Sequence, residues 1–95
     1  MDCIFCRIVA GEIPAHKVYE DATTLAFLDI NPATRGHTLV ISKDHVADLF
    51  GLSADGVSAV ARTAQTVARI LHTVVQPDGI NMLQNNGAAA GQAVF

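Results

Sequence analysis

The stretch LAFLDINPATRGHTLVIS, residues 25–42, contains two apolar runs joined by a short turn. Apolar runs of this length, bounded by turn-forming residues, predict buried strands at residues 25–30 and 37–42. The first strand is closed by Asn31 and Pro32, and the turn at 33–36 ends on Gly36. Asp29 is the one charged residue of the first strand. Its place near the strand's C-terminal end is typical of a buried strand that ends at a functional site.

The residues on both sides of this pair predict further elements. A short helix over residues 3–10 ends at Gly11, and polar and apolar residues alternate over 17–20 as in a strand. Residues 53–75 repeat apolar side chains every three or four positions, which predicts one long amphipathic helix capped by Ser53 and stopped by Pro77. The alternation over residues 80–85 predicts a further strand, and residues 92–95 are predicted to begin another. We therefore expect a sheet covered by one long helix.

Composition limits the class of protein. The chain has 95 residues, of which 51% are hydrophobic and 16% charged, which predicts one folded domain without a linker or repeat. Its net charge of -3 lacks the basic excess that binding to a nucleic acid polymer requires. We find no signal peptide or apolar run long enough for a membrane span, so a soluble cytoplasmic protein is expected.

Two cysteines near the N-terminus carry the first chemical signal. Cys3-x-x-Cys6 has the spacing of half a tetrahedral zinc site, and His45, after the predicted strand at 37–42, offers a third ligand. A redox pair and two ordinary buried cysteines are the alternatives. The redox hypothesis predicts that the motif lies between a strand and a long helix. The sequence around Cys3 and Cys6 does not have this arrangement.

Three other positions allow both a functional and a structural interpretation. Asp29 either accepts hydrogen bonds from a sugar's vicinal hydroxyls or caps the following turn, and His37 is either catalytic or structural. The loop at 85–92, rich in glycine, alanine and amide side chains, is either an anion-binding nest or a tight turn.

Taken together, these motifs resemble the histidine triad (HIT) family of nucleotide-binding proteins over nearly the whole chain. The matching segments are Cys3-Ile-Phe-Cys-x-Ile8, Glu12-Ile13-Pro14, Val18-Tyr19-Glu20-Asp21, Phe27-Leu-Asp29-Ile30-Asn-Pro32, Gly36-His37-Thr-Leu-Val-Ile41-Ser-Lys43-x-His45, and Asn85-x-Gly87 to Gly91-Gln92-x-Val94. The resemblance implies an α+β fold with an antiparallel sheet of about five strands, one long helix packed on it and a short N-terminal helix, usually as a homodimer.

The resemblance also implies roles for individual residues. The residues implied to line the purine base are Phe5, Ile8, Ile13, Phe27 and Ile30. Asp29 is implied to hold the ribose hydroxyls. The residues implied around the phosphate are Asn85, Gly91, Gln92 and Val94. His37 matches a possible auxiliary position near the catalytic histidines, and Cys3, Cys6 and His45 match three zinc ligands of the zinc-bearing members.

The family's His-x-His-x-His motif is expected directly after Phe95. We therefore expect residues 1–95 to form a C-terminally incomplete domain with a truncated last strand, an incomplete zinc ligand set and little or no activity. Family members act at the α-phosphate of phosphoramidates or dinucleoside polyphosphates through a nucleotidyl-histidine intermediate. The sequence leaves open whether the base is adenine or guanine. Two alternative functions also stay open: a catalytically silent nucleotide-binding or interaction module, and a stand-alone redox protein.

Overall fold

A computed structural model describes residues 3–29 and 36–92 of the chain. The elements, in chain order, are helix α1 (Ile4–Val9), strands β1 (Lys17–Glu20), β2 (Thr24–Leu28) and β3 (Thr38–Ser42), and helix α2 (Ala54–Val74). Short 3-10 turns cover Leu49–Gly51 and Ala88–Ala90. Each of these helices and strands lies within one or two residues of its predicted range.

The three strands form one antiparallel sheet in the order β1-β2-β3. Leu25 lies opposite Ile41 and Leu28 opposite Thr38 in the β2–β3 pair. The ladder continues one step further, because the Asp29 backbone N–H donates to the carbonyl of His37 at 3.0 Å. This continuation brings the two predicted site residues Asp29 and His37 side by side.

The central strand β2 is buried on both faces, which explains its continuous apolar sequence. Leu25 and Phe27 pack with Ile8 of α1 in the hydrophobic core. Thr24, on the opposite face because side chains alternate along a strand, contacts Thr63 of α2 through a hydroxyl–hydroxyl distance of 2.7 Å. The sheet is therefore covered by α1 on one face and by α2 on the other.

Helix α2 begins and ends where the sequence predicts. The Ser53 hydroxyl accepts a hydrogen bond from the Gly56 backbone N–H at 3.0 Å, which caps the first turn. The helix closes at Val75, and Gln76 with φ of 53° turns the chain before Pro77. No helix in the described parts of the chain combines the length and the apolar character that a membrane crossing needs.

The expected count of about five strands is wrong for residues 3–29 and 36–92, which contain three. The strand predicted over residues 80–85 is irregular chain in the structure, and Met82 and Leu83 are 77% and 86% exposed. Alternating apolar residues form a strand only when a neighbouring strand supplies backbone partners, and the described residues supply none here. The predicted strand at 92–95 lies almost wholly outside the described residues.

Candidate functional site: a metal-ligand cluster, a carboxylate–histidine pair and an amide-rich loop

The structure brings the three predicted metal ligands together. Cys3 caps α1 and Cys6 lies in its first turn, while His45 follows β3 in the chain. The two Sγ atoms and a ring nitrogen of His45 lie within 4.8 Å of one another, and Cys6 Sγ is 3.1 Å from His45 Nδ1. Neither cysteine is in a disulfide, both are partly buried, and His45 is exposed, so one side of the cluster faces solvent.

The two thiols have opposite ionisation tendencies. Partial burial opposes ionisation of Cys3, but hydrogen bonds from the Cys6 backbone N–H and thiol outweigh it and lower the pKa of Cys3 below its ordinary value. The hydrogen bond to Cys3, followed by desolvation and the charge of Cys3, raises the pKa of the Cys6 thiol. Cys3 is therefore the thiol of the pair that gives up its proton more readily.

The donor set fits zinc in part. Thiolate sulfur and imidazole nitrogen are the preferred ligands of structural zinc, at ~2.3 and ~2.0 Å. Ligand atoms around one such ion lie roughly 3.5–3.8 Å apart. The donors lie within 4.8 Å of one another and the Cys6 Sγ–His45 Nδ1 pair is at 3.1 Å, so shifts of up to about 1 Å bring them to that spacing. Among the described residues the cluster offers three donors, and a tetrahedral site takes a fourth from elsewhere.

Asp29 and His37 form a second group at the end of the β2–β3 pair. Besides their backbone hydrogen bond, Asp29 Oδ2 lies 3.6 Å from His37 Nδ1. The Asp29 side chain is 23% exposed and that of His37 40%. Gly36, with φ of 81°, turns the chain into His37 and lies against the end of α2. A partly exposed carboxylate thus stands next to an imidazole at the end of the β2–β3 pair.

The apolar residues predicted to line a base pocket belong to the hydrophobic core. Ile8 and Phe27 are 7% and 4% exposed, and Phe5 and Ile13 are partly buried against them. The rings of Phe5 and Phe27 have their centroids 6.0 Å apart. Ile30 and Val94, also predicted to contact the nucleotide, lie outside the described residues. The base-binding role of these side chains stays a prediction.

The loop at 85–92 is closed on itself by several hydrogen bonds. The Gln92 backbone N–H donates to the Gly87 carbonyl at 3.1 Å, and Gln92 Oε1 accepts from the Gly87 N–H at 2.7 Å. Asn85 Nδ2 lies 3.4 Å from the Gly91 carbonyl, and Gly91 has φ of 96°. The backbone N–H groups of Gly87 and Gln92 are used inside the turn, as are those of Ala90 and Gly91. The N–H groups of residues 88 and 89 take no part in these bonds.

A contact that the sequence did not reveal attaches this loop to the chain after His45. Gln92 Nε2 donates to the Ala47 carbonyl, and Asn86 Oδ1 accepts from the Leu49 backbone N–H at 2.7 Å. Two of the partners are backbone atoms of residues 47 and 49, which any sequence would provide. Only the pair of amide side chains, Asn86 and Gln92, carries a sequence signal.

Two surface depressions along α2 contain none of the predicted site residues. One, of about 410 Å³, is lined by side chains of the outer face of α2 and by Ile80. The other, of about 240 Å³, lies between α2 and the β1–β2 turn, with Asp21 and Arg62 among its residues. In this cavity the Asp21 carboxylate is occupied by hydrogen bonds from the Thr23 and Thr24 backbone N–H groups, so it acts as a turn cap.

Comparison with known proteins establishes the family. A family model described as "HIT domain" matches residues 10–95. The chain is 46% identical over 94 residues to "Protein hit" of Bacillus subtilis, covering 99% of this chain and 65% of that protein. It is 44% identical over 94 residues to the "Adenosine 5'-monophosphoramidase hnt1" of Schizosaccharomyces pombe, covering 99% of this chain and 68% of that one.

The structural comparison agrees. A zinc-bound histidine triad family protein from Mycobacterium smegmatis has a TM-score of 0.94 and 46% identity, covering all of this chain and 69% of that chain. This chain therefore belongs to the HIT family, as the sequence resemblance implied, and has the α+β fold of that family. It spans about two thirds of the length of the relatives it matches.

Proposed function

We propose that this chain is the nucleotide-binding body of a HIT-family hydrolase or transferase. The substrates proposed are purine nucleoside phosphoramidates or dinucleoside polyphosphates, attacked at the α-phosphate by a histidine that the family resemblance assigns to residues after Phe95. The observation that carries the proposal is the 44% identity, over nearly the whole chain, to a relative named as an adenosine 5'-monophosphoramidase.

Asp29 is proposed to bind the ribose. A carboxylate accepts two hydrogen bonds, one for each of two vicinal hydroxyls, and hydrogen bonds to a charged acceptor contribute about 1.5–3 kcal/mol each. The Asp29 side chain is partly exposed and lies at the end of the β2–β3 pair, and both features support this role. His37, 3.6 Å away, is proposed as an auxiliary group that holds this carboxylate in place.

The loop at 85–92 is proposed to hold the phosphate. Asn85 and Gln92 carry amide N–H groups, and the backbone N–H groups of residues 88 and 89 take no part in the loop's internal bonds. Donors fixed before the charged group arrives lose little energy in reorganising, which favours anion binding. The residues proposed to complete this subsite and the base subsite are Gly91, Val94, Phe5, Ile8, Ile13, Phe27 and Ile30.

The apolar base subsite gives no basis for choosing adenine over guanine. Apolar side chains contact the face of a purine, whereas the two bases differ in the donors and acceptors at their edges. Partly buried Phe5 and Ile13 support a role in covering that face. We therefore propose an AMP or GMP type of nucleotide.

Zinc is proposed as a structural ion held by Cys3, Cys6 and His45. When bound, it supplies a cross-link between α1 and the chain after β3 and leaves the nucleotide chemistry to other groups. The clustered thiols and imidazole, together with the zinc-bound relative, support this assignment. The Cys3-x-x-Cys6 spacing, which suits a metal site better than a structural disulfide, also supports the proposed cytoplasmic location.

A homodimer is proposed for the assembled protein. Phe50, Met82 and Leu83 are 86%, 77% and 86% exposed, and large apolar side chains at such exposure favour association. Sedimentation equilibrium over a hundredfold concentration range tests this. A mass of one chain throughout would contradict the dimer.

The proposed function is tested by calorimetry with AMP combined with an assay for AMP release from adenosine 5′-phosphoramidate. Binding of AMP supports the nucleotide site, and its absence at millimolar AMP would contradict the proposal. Binding without release supports the second candidate, a silent nucleotide-binding module. His37, whose Nδ1 lies 3.6 Å from Asp29 Oδ2, is proposed as an auxiliary group and not as the nucleophile, which favours that candidate for residues 1–95 alone.

A further inference from the structure

The short segment at residues 45–49 has functional neighbours on both sides. At its start, His45 Nδ1 lies 3.1 Å from Cys6 Sγ within the metal-ligand cluster. At its end, the Leu49 backbone N–H donates to Asn86 Oδ1 at 2.7 Å. Leu49, four positions after the metal ligand His45, therefore makes a direct contact with the loop proposed to bind phosphate.

The Gln92 side chain makes the second link between segment and loop. Its Nε2 donates to the Ala47 carbonyl, while its Oε1 accepts from the Gly87 backbone N–H at 2.7 Å. One amide group thus ties the loop's first glycine to the segment that carries His45. Together with the Asn86 contact, it fixes the loop at both of its ends.

The segment and its links to the loop lie largely at the surface. Ala47 and His45 are exposed, Leu49 is 46% exposed, and the link made by Asn86 is at the surface. Water competes for surface hydrogen bonds, so these contacts persist only while the two partners are held in register. A metal ion that holds the His45 side chain against α1 restrains the segment. The restrained segment then keeps its contacts with the loop for more of the time.

We propose that metal binding at Cys3, Cys6 and His45 orders the loop at 85–92 through the segment at 45–49, with Asn86 as the positioning residue. Coupling between two sites is reciprocal, so phosphate binding in the loop tightens metal binding by the same factor. The nucleotide half of this inference rests on the proposed function. The metal-to-loop half is independent of it.

Hydrogen exchange of the intact protein, with zinc and after EDTA treatment, tests the coupling without nucleotide. We expect zinc to slow exchange of the Gly87 and Gln92 amides by about fivefold or more. In Asn86→Ala the effect at these amides falls below about twofold. Asn86→Asp, which keeps an acceptor oxygen, retains the effect, and the exposed control Asn81→Ala behaves as the wild type.

AMP calorimetry under the same two conditions separates the inference from the proposed function. We expect zinc to tighten AMP binding about fivefold in the wild type and in Asn81→Ala, but not in Asn86→Ala. If AMP binds equally with and without zinc and loop exchange is unchanged, the inference is wrong and the nucleotide site stands. If AMP never binds but zinc protects the loop, the coupling stands and the proposed function fails. Absence of zinc binding overturns the coupling outright.

Discussion

Replacement of Thr63 by valine tests how α2 is attached to the sheet. Thr24 is fully buried and Thr63 is 3% exposed, and their hydroxyl oxygens lie 2.7 Å apart. The Thr24 hydroxyl donates to Asp21 Oδ1 at 3.0 Å, so its proton is used and Thr63 is the donor between the two threonines. This order of donors makes the two substitutions unequal.

The expected magnitudes follow from the number of hydrogen bonds lost. Thr63→Val removes one, and a net contribution of about 1 kcal/mol predicts a fall in melting temperature of about 4–8 °C for a domain of this size. Thr24→Val removes two, which predicts about 2 kcal/mol. The double variant loses the same two bonds, so it also costs about 2 kcal/mol, less than the sum of the single variants.

Urea unfolding of the four proteins, followed by circular dichroism, measures these differences. Thr66→Val on the same helix is the matched control, because its hydroxyl donates to the Arg62 carbonyl at an exposed position of α2, and we expect a change below about 0.5 kcal/mol. Strictly additive losses, or a Thr63→Val variant as stable as the control, would refute the assigned hydrogen bonds.

Three further predictions concern acid stability, the loop and the metal cluster. Thr23 and Thr24 backbone N–H groups lower the pKa of Asp21, and the Lys43 and Lys17 ammonium groups lower that of Glu20. Both carboxyl groups have a lower pKa in the folded chain than in the unfolded chain, so the stability that their ionisation provides is present above about pH 4 and is lost in more acid solution. We expect Asp21→Asn to weaken this pH dependence in thermal melts. Gly91→Ala, at φ of 96° with its new Cβ 3.4 Å from Asn85 Nδ2, is expected to cost about 1–2 kcal/mol by urea unfolding, whereas Gly79→Ala, with open space around it, is neutral. EDTA is expected to lower the melting temperature of zinc-loaded wild type but to leave Cys6→Ser unchanged, and an equal response of the two proteins would argue against a cysteine-held ion.

Much of the fold was predictable because its signals are local. The Ser53 cap, the three-to-four repeat of α2 and the apolar run of β2 each depend on residues close in sequence, and the structure confirms all three. The strand predicted at 80–85 failed for the opposite reason. Pairing is a property of two segments, and alternation in one segment carries no information about whether its neighbour is present.

The candidate site was predictable where side chains carry the chemistry. Cysteine spacing indicated Cys3 and Cys6, and the fold does bring His45 to them. The attachment of the loop at 85–92 to residues 47 and 49 was not predictable, because the partners there are a backbone carbonyl and a backbone N–H. Such groups occur at nearly every residue, so only the folded chain reveals which of them meet.

The most direct test of the account compares AMP with 2′,3′-dideoxy-AMP as ligands in calorimetry. Loss of hydrogen bonds to a carboxylate, at about 1.5–3 kcal/mol, predicts that the wild type and the exposed control Asp78→Asn bind AMP at least tenfold more tightly. Asp29→Asn should bind the two ligands within about threefold of each other. A wild type that does not distinguish them, or an Asp29→Asn variant that still does, would contradict the ribose-binding role of Asp29.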